Sequence, residues 1–403
     1  MQPEEEQSTM STSMTTSKKR KPTGRSNLET GLEAPQKKKA SSGRTQKASL
    51  KGDVPPLGKF LASNDKATRD RAVNALRKFL SGHVEPEEDI FQNDLFETQL
   101  PRDKWEQLEP QNVRLDQIEL AKLYKGLFYC FWMSDKPIIQ QHLAQELADL
   151  CLIIRPAQTS GDPLLDQIFT TQTALSFWKQ FWTALGCEWQ GVDKHRLDKY
   201  LLLMRRFVEV AFKILQRAHW HPKAIESWSE LLKETVFNVA DFKTPLSITY
   251  HVTDIFLEEL NRVLEKRSDR PAPIVPLLAP LIHGLSQSRP GTATFRKLIE
   301  HVFEPLFANL EFFISHRTKI PESSTIDIYD SFETSLISST NQPAASGTRS
   351  DFQAIRTDLL SLLFQAGSNH LCLDSNRKKI YNYWYSKRGI DDDEEDQPTE
   401  DAK

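Results

Sequence analysis

His219 and His221 flank Trp220, and two imidazoles one residue apart are a spacing that can ligate a metal. A zinc site needs further His, Cys or carboxylate ligands, and none stands nearby in the sequence. The alternative, which the following Pro222 favours, is a turn between helices with His221 close to the cap of the second. Cationic clusters offer a different chemistry. Lys194-His195-Arg196, Arg205-Arg206 and Arg377-Lys378-Lys379 are candidates for RNA phosphates, because neutralising closely spaced phosphates releases their counterions. Basic helix faces also pair with nearby acids, so each cluster has a bland reading as well. The third stands apart because Tyr381, Tyr383, Trp384 and Tyr385 follow it, with Lys387-Arg388 beyond. Aromatic rings among cations suit the stacking of unpaired bases, or they pin a final helix onto the body. Glycine-rich phosphate loops, nucleophile elbows, HExxH and zinc-knuckle cysteine pairs are missing from the sequence. The expectation is therefore a protein that is not an enzyme, with no catalytic, cofactor-binding or metal-binding residue and no small-molecule substrate.

The elements that position these residues follow from composition and periodicity. With 403 residues, 38% hydrophobic and 9% aromatic, the chain can build a substantial core. Cys130, Cys151, Cys187 and Cys372 lie far apart with no CxxC pair, which suits a reducing compartment. No apolar run reaches the roughly 20 residues that cross a bilayer, so no membrane association is expected. The net charge of -3 conceals a division along the chain. Residues 1–54 carry eleven Lys/Arg against six Asp/Glu, whereas residues 391–403 carry one Lys against eight acids. In the first arm Lys18-Lys19-Arg20-Lys21 and Lys37-Lys38-Lys39 are separated by fifteen residues, as in a bipartite nuclear import signal. Both tails are too polar to bury enough surface to fold, and disorder is expected at 1–54 and 389–403.

Between the tails the apolar residues recur at helical spacing. Ser63-Asn64-Asp65 precedes a helix carrying Val73, Leu76, Phe79 and Leu80. A second helix, over about 116–133, carries Leu120, Leu123, Leu127, Cys130 and Phe131. Ser134-Asp135-Lys136-Pro137 interrupts it, with Pro137 in the first turn of a new helix and Ser134 or Asp135 as its cap. That new helix carries Ile139, Leu143, Leu147, Leu150 and Ile154. Further helices are predicted around 165–185, 197–215, from Pro222, and near 246–266, 274–285, 294–312 and 352–366. The architecture expected is all-α: stacked antiparallel helical hairpins, a HEAT-like α-solenoid, with an irregular bundle as the alternative. The domain plan is a helical body over 55–318, a Ser/Thr-rich surface loop over 319–350, and closing helices over 351–388.

One tract is more particular than an amphipathic helix requires. KLYKGLFYCFWMSDKP, residues 122–137, followed by Ile138-Ile139-Gln140-Gln141, resembles the signature of the eukaryotic nucleolar ribosomal RNA processing protein 1 family. Its characteristic positions here are Lys125, Gly126, Trp132, Ser134, Asp135, Lys136 and Pro137. DKATRDRAVNALRKFLSG at 65–82 is similar to the family's opening helix, and Asn376-Arg377-Lys378-Lys379-Ile380-Tyr381 to its closing basic helix. The resemblance spans about 57–388 and leaves out the arm and the 319–350 segment. It implies a nucleolar architectural factor for large-subunit maturation. The implied partners are the pre-60S particle, pre-rRNA and other assembly factors, including Brix-domain and WD-repeat proteins. Lys136 of the signature joins the basic clusters as a candidate contact to a phosphate or an acidic partner. A nuclear helical-repeat adaptor for a different complex is the alternative.

Overall fold

The structure is a computed structural model that describes residues 57–82, 117–156, 160–265, 272–316 and 349–389. The basic arm, the acidic tail and residues 317–348 of the expected loop lie outside the described residues; Arg349 and Ser350 already belong to the helix that follows. Among the described residues there are helices and turns and no strand, and no helix is long and apolar enough to cross a membrane.

The helices, in chain order, are α1 (Leu57–Leu61), α2 (Lys66–Leu80), α3 (Gln117–Trp132), α4 (Pro137–Ile153), α5 (Pro163–Glu188), α6 (Leu197–Arg217), α7 (Pro222–Glu234) and α8 (Leu246–Glu265). They continue with α9 (Ile274–Leu277), α10 (Ala279–Ser286), α11 (Thr294–Leu298), α12 (Glu304–His316), α13 (Arg349–Ser368) and α14 (Asp374–Arg388). Local chemistry sets several starts. Asp65 caps α2 by accepting from the Thr68 amide at 2.8 Å and its hydroxyl at 2.6 Å, and these bonds hold the carboxyl below the usual aspartate range. Asp162 caps α5 in the same way, 2.9 Å from the Leu164 amide, with Pro163 at the first position. His221 does cap α7: its Nδ1 accepts from the Lys223 amide at 3.2 Å. The chain enters that cap through His219 and Trp220 at φ 51° and 56°, a left-handed pair that non-glycine residues seldom adopt. Burial of the Trp220 ring and a 2.8 Å bond from its amide to the Leu215 carbonyl hold it there.

Three expectations change. The segment at 274–285 is two short helices parted at Leu278, since Pro280 cannot donate the bond that would carry one through the other. The helix over 294–312 is broken by a π turn at Ile299–Phe303, directly before Pro305, whose ring displaces the regular i to i-4 ladder. Neither Ser134 nor Asp135 caps α4. Lys136 occupies that position without a side-chain bond, because the Ser134 hydroxyl turns back to the Phe131 carbonyl at 2.7 Å.

From α1 to α11 most of the helices alternate between two layers, and within each layer successive members pack on one another; α13 and α14 close the body as an adjacent packed pair. One layer runs α1, α3, α5, α7, α10, and the other α2, α4, α6, α8, α11, which is a solenoid-like arrangement of helical hairpins. Polar tips of buried aromatics tie the helices together across and along the layers. Tyr124 donates to the Phe177 carbonyl at 2.7 Å, Trp178 to Phe207 at 2.7 Å and Tyr200 to Phe128 at 2.9 Å. Phe181 stacks on Phe207 with centroids 3.6 Å apart, beside a small apolar cavity that Tyr124 and Leu203 also line. Cys130, Cys151 and Cys372 are buried; burial pushes the Cys130 thiol up to about 11, while Cys187 is exposed.

Gly126 lets α1 cross α3 in backbone contact. A Cβ at this position would lie 2.9 Å from Gly58 Cα and 3.1 Å from the Gly58 carbonyl oxygen, atoms that cannot swing aside. Gly126→Val is expected to lower folding stability by about 1–3 kcal/mol in chemical denaturation and to strip hydrogen-exchange protection from α1. An unchanged midpoint with α1 still protected would contradict this account.

Candidate partner and RNA interface

Because the two layers are antiparallel, every turn leading from the first layer to the second emerges on one edge, and neighbouring turns touch. Arg69 donates to the Ser63 and Asn64 carbonyls at 2.8 and 2.9 Å and reaches the Met133 carbonyl at 3.4 Å. Trp189 joins Ser247 at 2.7 Å, and Arg289 lies over the ring of Phe242, 4.5 Å from its centroid. The Leu373 amide donates to the Ser286 carbonyl at 3.1 Å, closing the line of turns at α14. Large apolar side chains stand exposed along this edge: Ile138, Leu197, Phe242, Leu371 and Leu373. Lys136 and Lys194 are exposed beside the first two.

The signature tract sits on the same edge, and most of its residues hold helices together. Lys125 pairs with Glu188 at 2.8 Å, and Tyr129 donates to the same carboxylate at 3.1 Å. Trp132 carries the Arg196 guanidinium 4.4 Å from its centroid, while Arg196 also pairs with Asp193. The carbonyls of Trp132 and Ser134, at the C-terminal end of α3, both accept from Lys199 Nζ at 2.7 Å. Lys199 is only 6% exposed. Burial, then the neighbouring Arg196 charge, bring its ammonium down to about 8, while the two carbonyls and the negative end of the α3 dipole supply its partners. Sequence reasoning missed Lys199. The available signal was a lysine at 199 preceding Leu203 and Phe207 on the apolar stripe of α6.

The basic candidates separate by environment. Arg205 bridges to Glu259 at 2.7 Å and pairs with Glu258, and Arg206 pairs with Glu209 at 3.0 Å. Both Glu209 and Glu259 are almost wholly buried, and burial holds the Glu259 carboxyl above its usual range against the pull of Arg262 and Arg205. Arg205 thus joins α6 to α8, while Arg206 is engaged within α6 itself. Near the end of the chain, Arg377 donates to the Cys372 and Asn369 carbonyls at 3.3 and 3.4 Å, and Lys387 pairs with Glu304 at 2.8 Å. Lys379 reaches over Phe295, whereas Lys378 and Tyr385 are exposed and Arg388 lies over Trp384. Among the described residues no three His, Cys, Asp or Glu side chains gather as a metal site, and the pair His219 and His221 serves the turn before α7. Lys18–Lys21 and Lys37–Lys39 lie outside the described residues.

A family profile described as "Nucleolar protein, Nop52" matches residues 52–384, a stretch that runs through the 319–350 segment the signature resemblance leaves out. The chain belongs to this nucleolar family. Among its relatives, the human "Ribosomal RNA processing protein 1 homolog A" is 32% identical over 213 residues, covering 52% of this chain and 38% of that protein. The Dictyostelium discoideum "Ribosomal RNA processing protein 1 homolog" is 24% identical over 288 residues, covering 67% and 51%. The Drosophila melanogaster homolog is 25% identical over 200 residues, covering 50% and 23%. The chain therefore aligns with well under two thirds of the length of each of these relatives.

Within this Nop52 family member, the Lys199 fork has a measurable signature. Lys199→Met leaves buried carbonyls without their donor and is expected to lower stability at pH 7 by about 1–3 kcal/mol. The pH dependence has a definite sign. An unfolded lysine titrates near about 10.4, so between about 8 and that value the unfolded chain binds more protons at this site than the folded one. Stability from Lys199 rises with pH across that window and is lowest below it. The difference in denaturation free energy between wild type and Lys199→Met should grow from pH 8 to 10; a difference that shrinks would refute this reading.

Proposed function

We propose that the chain is a non-catalytic scaffold in nucleolar pre-60S particles, needed for pre-rRNA processing during large-subunit assembly. The observation that carries this reading is how the polar groups of the signature tract are used. Lys125 through Glu188, Trp132 through Arg196 and the Ser134 carbonyl through Lys199 of α6 join the tract to other parts of the body, so the tract builds a rigid support for neighbours. Membership of a nucleolar family, and relatives named for ribosomal RNA processing, supply the biological setting. The edge formed by the turns, with Ile138, Leu197 and Phe242 beside Lys136 and Lys194, is the surface we assign to assembly partners. Brix-domain and WD-repeat factors are the partners the family resemblance suggests. The basic arm, with Lys18–Lys21 and Lys37–Lys39, directs nuclear entry and adds salt-sensitive affinity for pre-rRNA.

Two experiments test the proposal. A tagged full chain should concentrate in nucleoli and co-sediment with pre-60S particles, and its depletion should build up late large-subunit rRNA precursors. Nuclear staining that avoids nucleoli, with normal rRNA, would instead support an adaptor for a different complex. The charge reversals Lys136→Glu and Lys194→Glu together should reduce the particle-bound fraction several-fold with no change in melting temperature, since both side chains are exposed. Full retention on the particle would remove this edge from the interface.

A further inference from the structure

The last helix divides its side chains cleanly between two faces. Asn376, Ile380, Tyr383 and Lys387 point into the body: Asn376 donates to the Ser288 carbonyl at 2.7 Å, and Tyr383 packs edge-on to Phe307 at 6.1 Å. At 100° per residue, Lys378, Tyr381, Trp384, Tyr385 and Arg388 fall on one outer arc of α14, roughly 15 Å long. On that arc, Tyr385 is 67% exposed, Lys378 is exposed, and Tyr381 and Trp384 are half-buried. Phe364 of α13, itself exposed, extends the aromatic surface, with its centroid 5.7 Å from Tyr381 and 5.2 Å from Trp384. Three features preorganise these rings. The Tyr381 ring lies against Gly367, where a Cβ would be 2.9 Å away; its hydroxyl meets Ser368 at 2.9 Å; and Arg388 covers Trp384 at 5.7 Å.

We propose that this arc is a stacking platform for an unpaired RNA segment, a proposal that rests on the chain being an RNA-associated assembly factor. Bases present π faces of any sequence to Tyr385, Trp384 and Phe364, and Lys378 and Arg388 stand at the two ends of the arc, where each can meet a phosphate on either side of the stacked bases. Charge complementarity selects this occupant over an apolar helix. The helix carries Arg377, Lys378, Lys379, Lys387 and Arg388 against the single acid Asp374, and Asp374 lies at its N-terminal end. The arc accommodates about two or three bases, the number a compact aromatic platform usually holds. The acidic residues 391–403 begin two residues beyond Gly389 and are the natural competitor for the same cations.

The test uses the full chain and a single-stranded RNA dodecamer carrying 2-aminopurine, whose fluorescence is quenched on stacking. Wild type should quench the probe, Tyr385→Ala should abolish most of the quenching and weaken binding about tenfold, and Tyr385→Phe should retain both. Lys378→Ala should lower the salt slope of binding by about one, whereas the Lys243→Ala control, in the turn before α8, leaves quenching unchanged. A duplex of equal length should be indifferent to Tyr385→Ala. The platform is wrong if single-strand affinity and quenching survive Tyr385→Ala, or if duplex binding falls equally. It is also wrong if a peptide of residues 391–403 binds in a Tyr385-dependent manner while RNA does not. Co-sedimentation with pre-60S particles, scored on the same variants, separates the two proposals. Loss of quenching with particles still bound sustains the platform, whereas a wild-type chain that never joins particles overturns the scaffold reading alone.

Discussion

A helix that ends inside a protein leaves its last carbonyls where water cannot reach them, and here one such end organises its surroundings. Lys199 Nζ binds the Trp132 and Ser134 carbonyls together, so the end of α3 is held against the start of α6. The Tyr200 hydroxyl, one residue further, bonds the Phe128 carbonyl on the same helix. Phe128 and Tyr200 stack at 4.8 Å between these anchors. A charged group is tolerated in this position because its partners are full carbonyl dipoles and the helix dipole opposes its charge. With that junction set, the alternation of layers continues along the chain through α8 and α10 with the same geometry of turns on one edge.

The same economy of charge explains why clusters that look alike in sequence differ in the structure. Arg205 reaches across to Glu258 and Glu259 of α8, some fifty residues away, and Arg206 pairs with Glu209, three positions along its own helix. A buried carboxylate without a cation beside it would cost several kcal/mol, on the order of 3–5, so these arginines are bound to the architecture. Lys378 and Tyr385 lie on the opposite side of α14 from Ile380 and have no such obligation to the core. Rigid packing behind an exposed face is what allows that face to hold another molecule in one geometry, because the ordering cost is met before binding.

Much of the architecture was legible in the sequence. Apolar stripes such as Leu120, Leu123, Leu127, Cys130 and Phe131 marked α3, the Asp65 cap marked the start of α2, and Pro222 after His221 marked α7. These signals are local: periodicity and capping depend on residues within a turn or two of each other. The tract at 122–137 likewise marked the family, since its residue types are more specific than helicity demands. The two breaks were less legible. Pro280 and Pro305 are visible in sequence, yet whether a proline ends a helix or widens a turn depends on the neighbours packed against it.

What the sequence determined by itself, then, was the all-α class, the order of the amphipathic helices and the family, because each is written in short-range patterns of residue type. Tertiary structure alone decided which cations are engaged and which face outward. Lys199 and Lys136 are both lysines beside a helix start, and only the proximity of α3 to α6 buries the first and leaves the second exposed. The physical reason is that a side chain's role depends on partners brought close by folding, such as Glu259 for Arg205 or Glu304 for Lys387, and those distances are set by helix packing across the whole body.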